Sequence, residues 1–280
     1  MADLRYALDN AADPAADRFR ILQECYDPVS RARIAQTGVA EGWQCLEVGA
    51  GGGSAAAWLS GIVAATGRVV ATDIDVRRID PAVRALANVP VVEHDIVRDP
   101  LPGTGFDLIH ARLVLLHLPE RIAVLDRLAA ALRPGGWLVI EDFDCGWTPV
   151  LDASHQDQID LFELVHARFL DLLTAAGADV LWARKLYRAV RHLGLEDVTA
   201  TVTAHAWRGG ETGIGLHRAN TEQLYERLLA GGLTPRQMAD FWKLLEDPAF
   251  TVQSYPLVTA TGRRGQHGQG GQSSREAPTC

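Results

Sequence analysis

The chain has 280 residues, of which 48% are hydrophobic and 22% charged, so it contains enough apolar material for a core and is not a disordered chain. Its 27 basic and 35 acidic residues give a formal net charge of −8, which argues against a general nucleic-acid binder because phosphate binding needs a basic surface. No apolar run approaches the roughly 20 residues that span a bilayer, and the N-terminus lacks a signal-peptide core. We therefore expect a cytoplasmic protein with one large domain or two modest ones.

Residues 14–37 are the first predicted helix, which Pro28 interrupts and Gly38 ends. From residue 45 onward, short apolar strands alternate with helices. The strands are predicted at 45–48, 68–73, 89–93, 106–110 and 137–140, and the helices between them at 54–63, 77–87 and 119–132. This alternation indicates a parallel sheet with helices on both faces. In the helix over 119–132, Ile122 is predicted to share the buried face with Leu125 and Leu128.

After residue 147 the alternation of strands and helices stops. Helices are predicted at 155–175, 179–193, 218–230 and 234–246, and strands at 198–207 and 250–261. The helix over 155–175 is apolar around much of its circumference, so we expect it to pack over the sheet or to line a pocket. Residues 263–280 are rich in Gly, Gln and Ser and are predicted to form a disordered tail.

The strongest chemical signal is Glu47-Val-Gly49-Ala-Gly51-Gly-Gly53, which lies between the first strand and a helix that Ser54 is expected to cap. Glycines allow the backbone to approach a ligand closely, and a helix N-terminus adds free N–H groups and the positive end of a dipole. A dinucleotide fingerprint would follow G-x-G-x-x-G/A, but the sixth position from Gly49 is Ser54. The spacing that fits is E-x-G-x-G-x-G.

With this spacing, the sequence over roughly residues 40–145 resembles the class I S-adenosylmethionine-dependent methyltransferases, in a branch like the ubiquinone and menaquinone methyltransferases. The motifs that follow in the same order are Val70-Ala-Thr-Asp73, Glu93-His-Asp95-Ile96, Phe106-Asp107-Leu108-Ile109 and Leu132-Arg-Pro-Gly-Gly136. The resemblance implies an α/β fold with a Rossmann-like seven-stranded sheet, an antiparallel last strand and helical cap insertions. It also implies S-adenosyl-L-methionine as the cofactor.

The resemblance also implies which residues bind the cofactor. Asp73, at the end of the second strand, would accept the two ribose hydroxyl groups, a role that suits a charged acceptor. Asp95 would accept from the adenine amino group, and Ile96 would pack near the ring. The complete predicted set is Glu47, Gly49, Ala50, Gly51, Asp73, Ile74, Asp95, Ile96, His110, Ala111 and Arg112.

Four of these residues have alternative roles that the sequence leaves open. Asp73 could cap the turn that follows it, and Asp95 could be a solvated loop acid. Glu47 either orders the glycine loop from behind or reaches the amino group of the cofactor. Arg112 either pairs with a carboxylate or forms a surface ion pair.

No catalytic residue and no metal site are assigned from the sequence. Methyl transfer is an in-line displacement at a carbon that the sulfonium already activates, so positioning and desolvation are the main tasks. A base is needed only if the acceptor is a hydroxyl or an enol carbon. The candidates are His110, His117, His155, His166, Asp142 and Asp144, with a structural role favoured for His117.

The predicted organisation is a helical cap over residues 1–40 and a methyltransferase domain over 41–262, with helical insertions at 144–195 and 208–248. Aromatic and apolar insertions of this size favour a small hydrophobic organic acceptor, of the secondary-metabolite kind, enclosed by a lid. Neither nucleic acid nor membrane is expected as a partner, and a homodimer stays open.

Two alternatives to this function remain. One is an NAD(P)-dependent oxidoreductase, which Ser54 and the turn at 133–136 disfavour. The other is a protein with the methyltransferase fold and a non-methylating role.

Overall fold

The fold is taken from a computed structural model that describes residues 14–266. The helices are α1 (Pro14–Ala35), α2 (Ser54–Val63), α3 (Pro81–Arg84), α4 (Arg121–Ala131), α5 (Gln156–Ala175), α6 (Ala183–His192), α7 (Gly215–Gln223), α8 (Tyr225–Ala230) and α9 (Pro235–Leu244). The strands are β1 (Gln44–Val48), β2 (Arg68–Asp73), β3 (Val91–Glu93), β4 (Phe106–Arg112), β5 (Leu132–Phe143), β6 (Val150–Asp152), β7 (Glu196–Thr203), β8 (Ala206–Arg208), β9 (Thr251–Gln253) and β10 (Leu257–Arg263).

Seven strands form the central sheet, in the order β3-β2-β1-β4-β5-β10-β7. Strands β1 to β5 pair in parallel, and β10 is antiparallel to both β5 and β7. This confirms the predicted seven-stranded sheet with an antiparallel last strand. After β1 the chain adds β2 and β3 on one side of β1. It then returns and adds β4 on the other side of β1. Open α/β sheets bind ligands at such a switch point, beyond the carboxyl ends of the strands.

The central sheet is buried on both faces, as parallel sheets are when helices cover them. Successive side chains of one strand point to opposite faces, and here they enter two separate apolar clusters. One cluster contains Cys45, Val69, Leu108 and Val139, together with side chains of α2. The other contains Leu46, Val70, Ile109 and Ile140, together with side chains of α4, α5 and α6.

Helix α1 continues through Pro28, although the sequence predicts an interruption there. A proline inside a helix removes one hydrogen bond and costs about 3 kcal/mol. Tertiary contacts on both sides of Pro28 hold the helix in place, because Asp27 and Ser30 bond to Arg112 of the sheet. The expected stop at Gly38 is confirmed by its left-handed φ of 78°.

Two local predictions near the glycine turn are wrong. Ser54 does not cap α2 but is its first residue, preceded by Gly53 with a left-handed φ of 88° and no side-chain cap. The helix predicted over 77–87 is a 3-10 turn followed by the single turn α3. The physical reason is that Asp75 and Asp80 each accept a backbone N–H two residues ahead, which starts two short turns in place of one helix.

The sequence pattern does not predict a second sheet, which has three strands in the order β6-β9-β8. The strands predicted at 198–207 and 250–261 are each divided, so that one part lies in each sheet. Ser254 holds the junction, because its N–H donates to the His205 carbonyl at 2.8 Å and its Oγ accepts from the His205 N–H at 2.9 Å. Pro256 follows in the same linker and has no N–H with which to continue a ladder.

The predicted cap and tail are seen only in part. Residues 1–13 of the cap and 267–280 of the tail lie outside the described residues. The prediction of a disordered tail from residue 263 is wrong for its first two residues, since β10 includes Arg263 and the Arg264 N–H donates to the Gly136 carbonyl at 2.8 Å. None of the helices within residues 14–266 is both long and apolar enough to cross a membrane.

Helix α4 buries a narrower face than the sequence predicts. Leu128 is 0% exposed and Leu125 is 1% exposed, but Ile122 is 53% exposed. At about 100° per residue, Ile122 lies roughly 120° around the helix from Leu128, which places it outside the buried stripe.

These two side chains provide a matched test of core packing. Leu128→Ala should lower the free energy of unfolding by about 2–5 kcal/mol, because it leaves a cavity in a fully buried position. Ile122→Ala in the same helix should change it by less than about 1 kcal/mol. Chemical denaturation of both variants measures the difference, and equal losses would contradict the described orientation of α4.

Candidate functional site

The turn between β1 and α2 has a backbone that requires glycine. Gly49, Gly51 and Gly53 have φ values of 69°, 56° and 88°. A Cβ on Gly49 would lie 2.3 Å from the side chain of Val114, and one on Gly51 would lie 3.1 Å from the ring of Phe19. The turn is therefore shaped by left-handed conformation and close approach, the two reasons for which a chain uses glycine at a ligand site.

Asp73 ends β2 beside this turn and is 7% exposed. Its carboxylate accepts the N–H of Gly51 at 2.8 Å and the N–H of Asp75 at 3.0 Å. Burial raises the pKa of Asp73, and the backbone donors oppose that rise. A carboxylate oxygen has two lone pairs, so each oxygen retains capacity for a hydroxyl donor while it fixes the turn. The capping role and a ligand-binding role are thus compatible.

A cleft of about 280 Å³ starts at the glycine turn and continues beneath α5 and α7. The lining residues come from the carboxyl ends of five strands, β1 to β5. The predicted cofactor residues that line it are Gly49, Ala50, Gly51, Asp73, Ile74, Asp95, Ile96 and Arg112. Their contact with a cofactor stays a prediction.

Helix α1, which lies within the predicted helical cap, forms a wall of the same cleft. Arg18, Phe19, Leu22 and Gln23 line the cleft from α1. They carry no recognisable motif, and only the packing of the helix against the strand ends brings them there.

Three predicted cofactor residues, Glu47, His110 and Ala111, do not line the cleft. His110 is 0% exposed, and its Nδ1 lies 2.7 Å from Glu47 while its Nε2 lies 3.2 Å from Glu141. Because side chains alternate along a strand, His110 points into the sheet face that Leu108 also occupies. The Glu47 carboxylate is thus held by His110, and both of its predicted roles toward the glycine loop and the cofactor stay predictions.

The charges in this buried group stabilise each other. Burial lowers the pKa of His110, but the charges and hydrogen bonds of Glu47 and Glu141 outweigh it and raise the pKa to about 9. Burial raises the pKa of Glu141, but His110 and Arg112 outweigh it and lower the pKa. A positively charged imidazole thus sits between two carboxylates at neutral pH.

The same group connects the sheet to α1. Glu141 accepts from Ser30 of α1 and, at 2.6 Å, from Thr259 of β10. Arg112 donates to Ser30 at 2.9 Å and to Asp27 at 2.8 Å. Arg112 thus forms an ion pair with Asp27, but not at the surface as predicted, since the two side chains are 13% and 8% exposed. We call Asp27, Ser30, Glu47, His110, Arg112, Glu141 and Thr259 the buried polar network.

The remaining base candidates occupy very different environments. His117 lines the cleft, and burial together with Arg18 and Arg121 lowers its pKa to about 3, so it is neutral. His155 is exposed at the start of α5, where it forms a capping box with Gln158.

Neither candidate aspartate is a free base at the cleft. Burial raises the pKa of Asp142 well above its ordinary value, against weaker stabilisation from Leu116 and Trp182, which keeps the acid neutral. Asp144 forms an ion pair with Arg184 at 2.7 Å.

The far part of the cleft is apolar. We define the inner end of the cleft by the side chains that β5, α5, α7 and the segment before β10 contribute: Phe143, Cys145, Phe169, Leu173, Leu216, Asn220 and Tyr255. The sequence pattern identifies the insertions as pocket-forming but gives no signal for Asn220 or Tyr255, because they come from segments distant in the chain.

Comparison with known proteins identifies the family. A family model for the methyltransferase domain matches residues 16–200. The chain belongs to this family, and its sheet is that of the class I S-adenosylmethionine-dependent methyltransferases. The family match leaves no support for the oxidoreductase alternative.

Individual relatives are similar over shorter stretches. Methyltransferase str2 from Strobilurus tenacellus is 40% identical over 102 residues, which are 35% of this chain and 35% of that protein. The ubiquinone/menaquinone biosynthesis C-methyltransferase UbiE from Cupriavidus necator is 30% identical over 121 residues, or 42% of this chain and 50% of that protein. The chain thus spans half or less of these two curated relatives.

A solved structure shares most of the fold. The [4+2]-cyclase SpnF superposes with a TM-score of 0.50 and 17% identity, over 88% of this chain and 83% of that one. At this identity the likeness concerns the fold alone.

The buried polar network makes stability depend on pH. The pKa of His110 is about 9 in the folded protein and near its ordinary 6.5 when unfolded. The stability that the charged imidazole contributes to the fold is therefore fully present below pH 6.5. We expect the free energy of unfolding to fall by on the order of 3 kcal/mol as pH rises from 6.5 to above 9. Denaturation of the wild type at several pH values measures this decrease.

His110→Gln is the control, because it removes the titrating group and keeps hydrogen-bonding capacity. The difference between the wild-type and variant curves isolates His110 from other alkaline titrations. Parallel curves would contradict a charged His110.

Proposed function

We propose that this chain binds S-adenosylmethionine at the glycine-turn end of the cleft and methylates a small, largely apolar organic acceptor at the inner end. The observation that carries the proposal is the continuity of the cleft, which runs from Asp73 and the glycine turn to a pocket walled by Phe143 and Phe169. One cavity thus joins a polar, backbone-lined end to an apolar end.

The residues at the first end fit the cofactor chemically. Gly49 and Gly51 leave backbone close to the ligand, as the methionine portion would require. Asp73 would accept the ribose hydroxyl groups, and Asp95 and Ile96, which line the same cleft, would contact the adenine. Ile74 is 64% exposed at the rim, which leaves an apolar surface for a ring to cover. When bound, the cofactor supplies a methyl group on a positively charged sulphur.

The residues at the inner end would orient the acceptor and exclude water. The seven side chains that define it are uncharged, although Arg18 and Arg112 line the same cleft, and this composition favours a largely apolar organic molecule. Helices α5 and α7 enclose this end, as a lid would, and desolvation strengthens the electrostatics of transfer. The chain's net charge of −8 supports a small molecule rather than nucleic acid. An acceptor of the secondary-metabolite kind, as the sequence suggests, belongs to this proposal.

Cofactor binding is tested with Asp73→Ala. The variant should weaken S-adenosylhomocysteine binding by about 1–3 kcal/mol, because it leaves hydrogen-bonding groups without a partner. Isothermal titration calorimetry measures the change, with NADH as the comparison ligand. Glu93→Ala is the matched control, since Glu93 pairs in register with Asp73 but is exposed and does not line the cleft. Unchanged affinity in folded Asp73→Ala would contradict the ribose assignment.

Methyl transfer is tested with radiolabelled S-adenosylmethionine and a small-molecule extract. Label should appear in low-mass products, and boiled protein is the control. Binding of S-adenosylhomocysteine without transfer to any product would favour the non-methylating alternative.

A further inference from the structure

The hydroxyl group of Tyr255 is flanked by two histidines at the inner end of the cleft. Its Oη lies 3.2 Å from Nδ1 of His217 and 3.5 Å from Nδ1 of His166. Tyr255 and His217 are each 2% exposed, and Tyr255 lines the cleft. A phenol and two imidazoles in contact form a chain along which a proton can move.

The surroundings of His166 determine which of its nitrogens holds the proton. Its Nε2 lies 3.1 Å from the Cys145 carbonyl oxygen and 2.9 Å from Oγ1 of Thr148. A carbonyl only accepts, so Nε2 carries the hydrogen and Nδ1 of the neutral ring has a free lone pair. Burial lowers the pKa of His166 to about 4, although the Cys145 carbonyl opposes this, so the ring is neutral at neutral pH. Tyr255 therefore faces a nitrogen that can receive its proton.

We infer that Tyr255 is a catalytic residue that accepts the proton of an aromatic or enolic hydroxyl group on the acceptor and passes its own proton to His166. The inference rests on the proposed methyl transfer and names the acceptor class. As the acceptor oxygen bonds to the methyl carbon, the sulphur–carbon bond breaks and its electron pair stays on sulphur. The acceptor O–H proton moves to Tyr255 Oη, and the Tyr255 proton moves to Nδ1 of His166.

A weak base is sufficient for this step. The sulphur loses one positive charge and the imidazole gains one, so the charge of the enclosed site is unchanged. An oxygen that forms a third bond becomes strongly acidic, so a neutral imidazole can take the proton even where burial makes it a poor base.

The walls favour an aromatic acceptor over a charged one. The rings of Phe143 and Tyr255 stack with centroids 5.3 Å apart, and Phe169 lines the same end. A flat conjugated ring packs well on such faces, whereas a carboxylate or phosphate would find no cation among the side chains of the inner end. Asn220, beside the Tyr255 hydroxyl, is the one amide available to a second polar group of the acceptor.

His217 is a positioning residue in this arrangement. With His166 accepting from Tyr255, Nδ1–H of His217 donates to the same Oη and fixes its orientation. The ring of His217 packs edge-on against Phe162 at 5.1 Å, which holds the imidazole in place.

The experiment compares two acceptors of nearly one shape, 7-hydroxycoumarin and its more acidic 6,8-difluoro derivative, which is ionised at neutral pH. Tyr255→Phe removes a single oxygen. We expect its kcat to fall about 100-fold with 7-hydroxycoumarin, which must lose a proton, and less than about tenfold with the 6,8-difluoro derivative. A merely structural defect would lower both rates equally.

Tyr26→Phe is the matched control. Tyr26 is a second buried tyrosine of the same aromatic cluster, whose hydroxyl donates to the Tyr255 carbonyl at 3.0 Å and which does not line the cleft. It should retain kcat within about threefold for both coumarins. His166→Gln can still donate to the Cys145 carbonyl. Its kcat should fall with the two coumarins in the same unequal way as that of Tyr255→Phe, and it replaces Tyr255→Phe in the test if that variant does not fold.

Binding provides a readout that does not depend on turnover. The fluorescence excitation of 7-hydroxycoumarin distinguishes its neutral and ionised forms, and we expect the spectrum in the S-adenosylhomocysteine complex to differ between the wild type and Tyr255→Phe. Both proteins should bind S-adenosylhomocysteine within about twofold.

The outcomes separate the inference from the proposed function. Failure of the wild type to bind S-adenosylhomocysteine would overturn the proposed function. Normal binding with equal rate losses for both coumarins, or with no binding of either coumarin, would overturn the inference alone.

Discussion

A charged histidine held between two buried carboxylates joins most of the elements that form the cleft. His110 lies on β4, Glu47 on β1 and Glu141 on β5, so the ion group crosses three strands of the sheet. Burying such charges is costly unless every partner is present. The bonds from Glu141 to Ser30 and Thr259 complete the set and bring α1 and β10 into it. Because Ser30 of α1 is one of these partners, the buried ion group in the sheet fixes where α1 packs.

The docked helix in turn builds the cleft. Arg112 extends the network to Asp27 of α1 and also lines the cleft, so one side chain takes part in both. The ring of Phe19 in the same helix lies so close to Gly51 that a Cβ there would be 3.1 Å away. The glycine turn, the helix and the network are therefore mutually dependent. The two ends of the cleft differ in polarity. Backbone groups of the glycine turn and the carboxylate of Asp73 form one end, and mainly apolar side chains form the inner end.

The predictions succeeded where a local pattern has a local cause. Alternating buried strands and helices specified the central sheet, and the glycine turn and Asp73 lie together because both follow parallel strands that end at one edge. The predictions failed where tertiary contacts or local caps outweighed periodicity. Pro28 remains inside α1 because Asp27 and Ser30 are anchored, and the capping carboxylates of Asp75 and Asp80 start two short turns where one helix was predicted. His110 was placed in the cofactor set because of its strand end, but it lies inside β4, in register with Glu47 and Val139, and its ring is held between Glu47 and Glu141.

The sequence by itself determined the family, the sheet and the glycine-turn end of the cleft, because those depend on short segments whose spacing carries the geometry. Only the tertiary structure decided how His110, Glu47 and Glu141 pair, since the three residues are far apart in the chain and none has a local signal. It also decided the inner end, where Tyr255 meets His166 and His217 from separate elements. Contacts of this kind arise from how helices and strands pack, and no periodicity in a single segment can encode them.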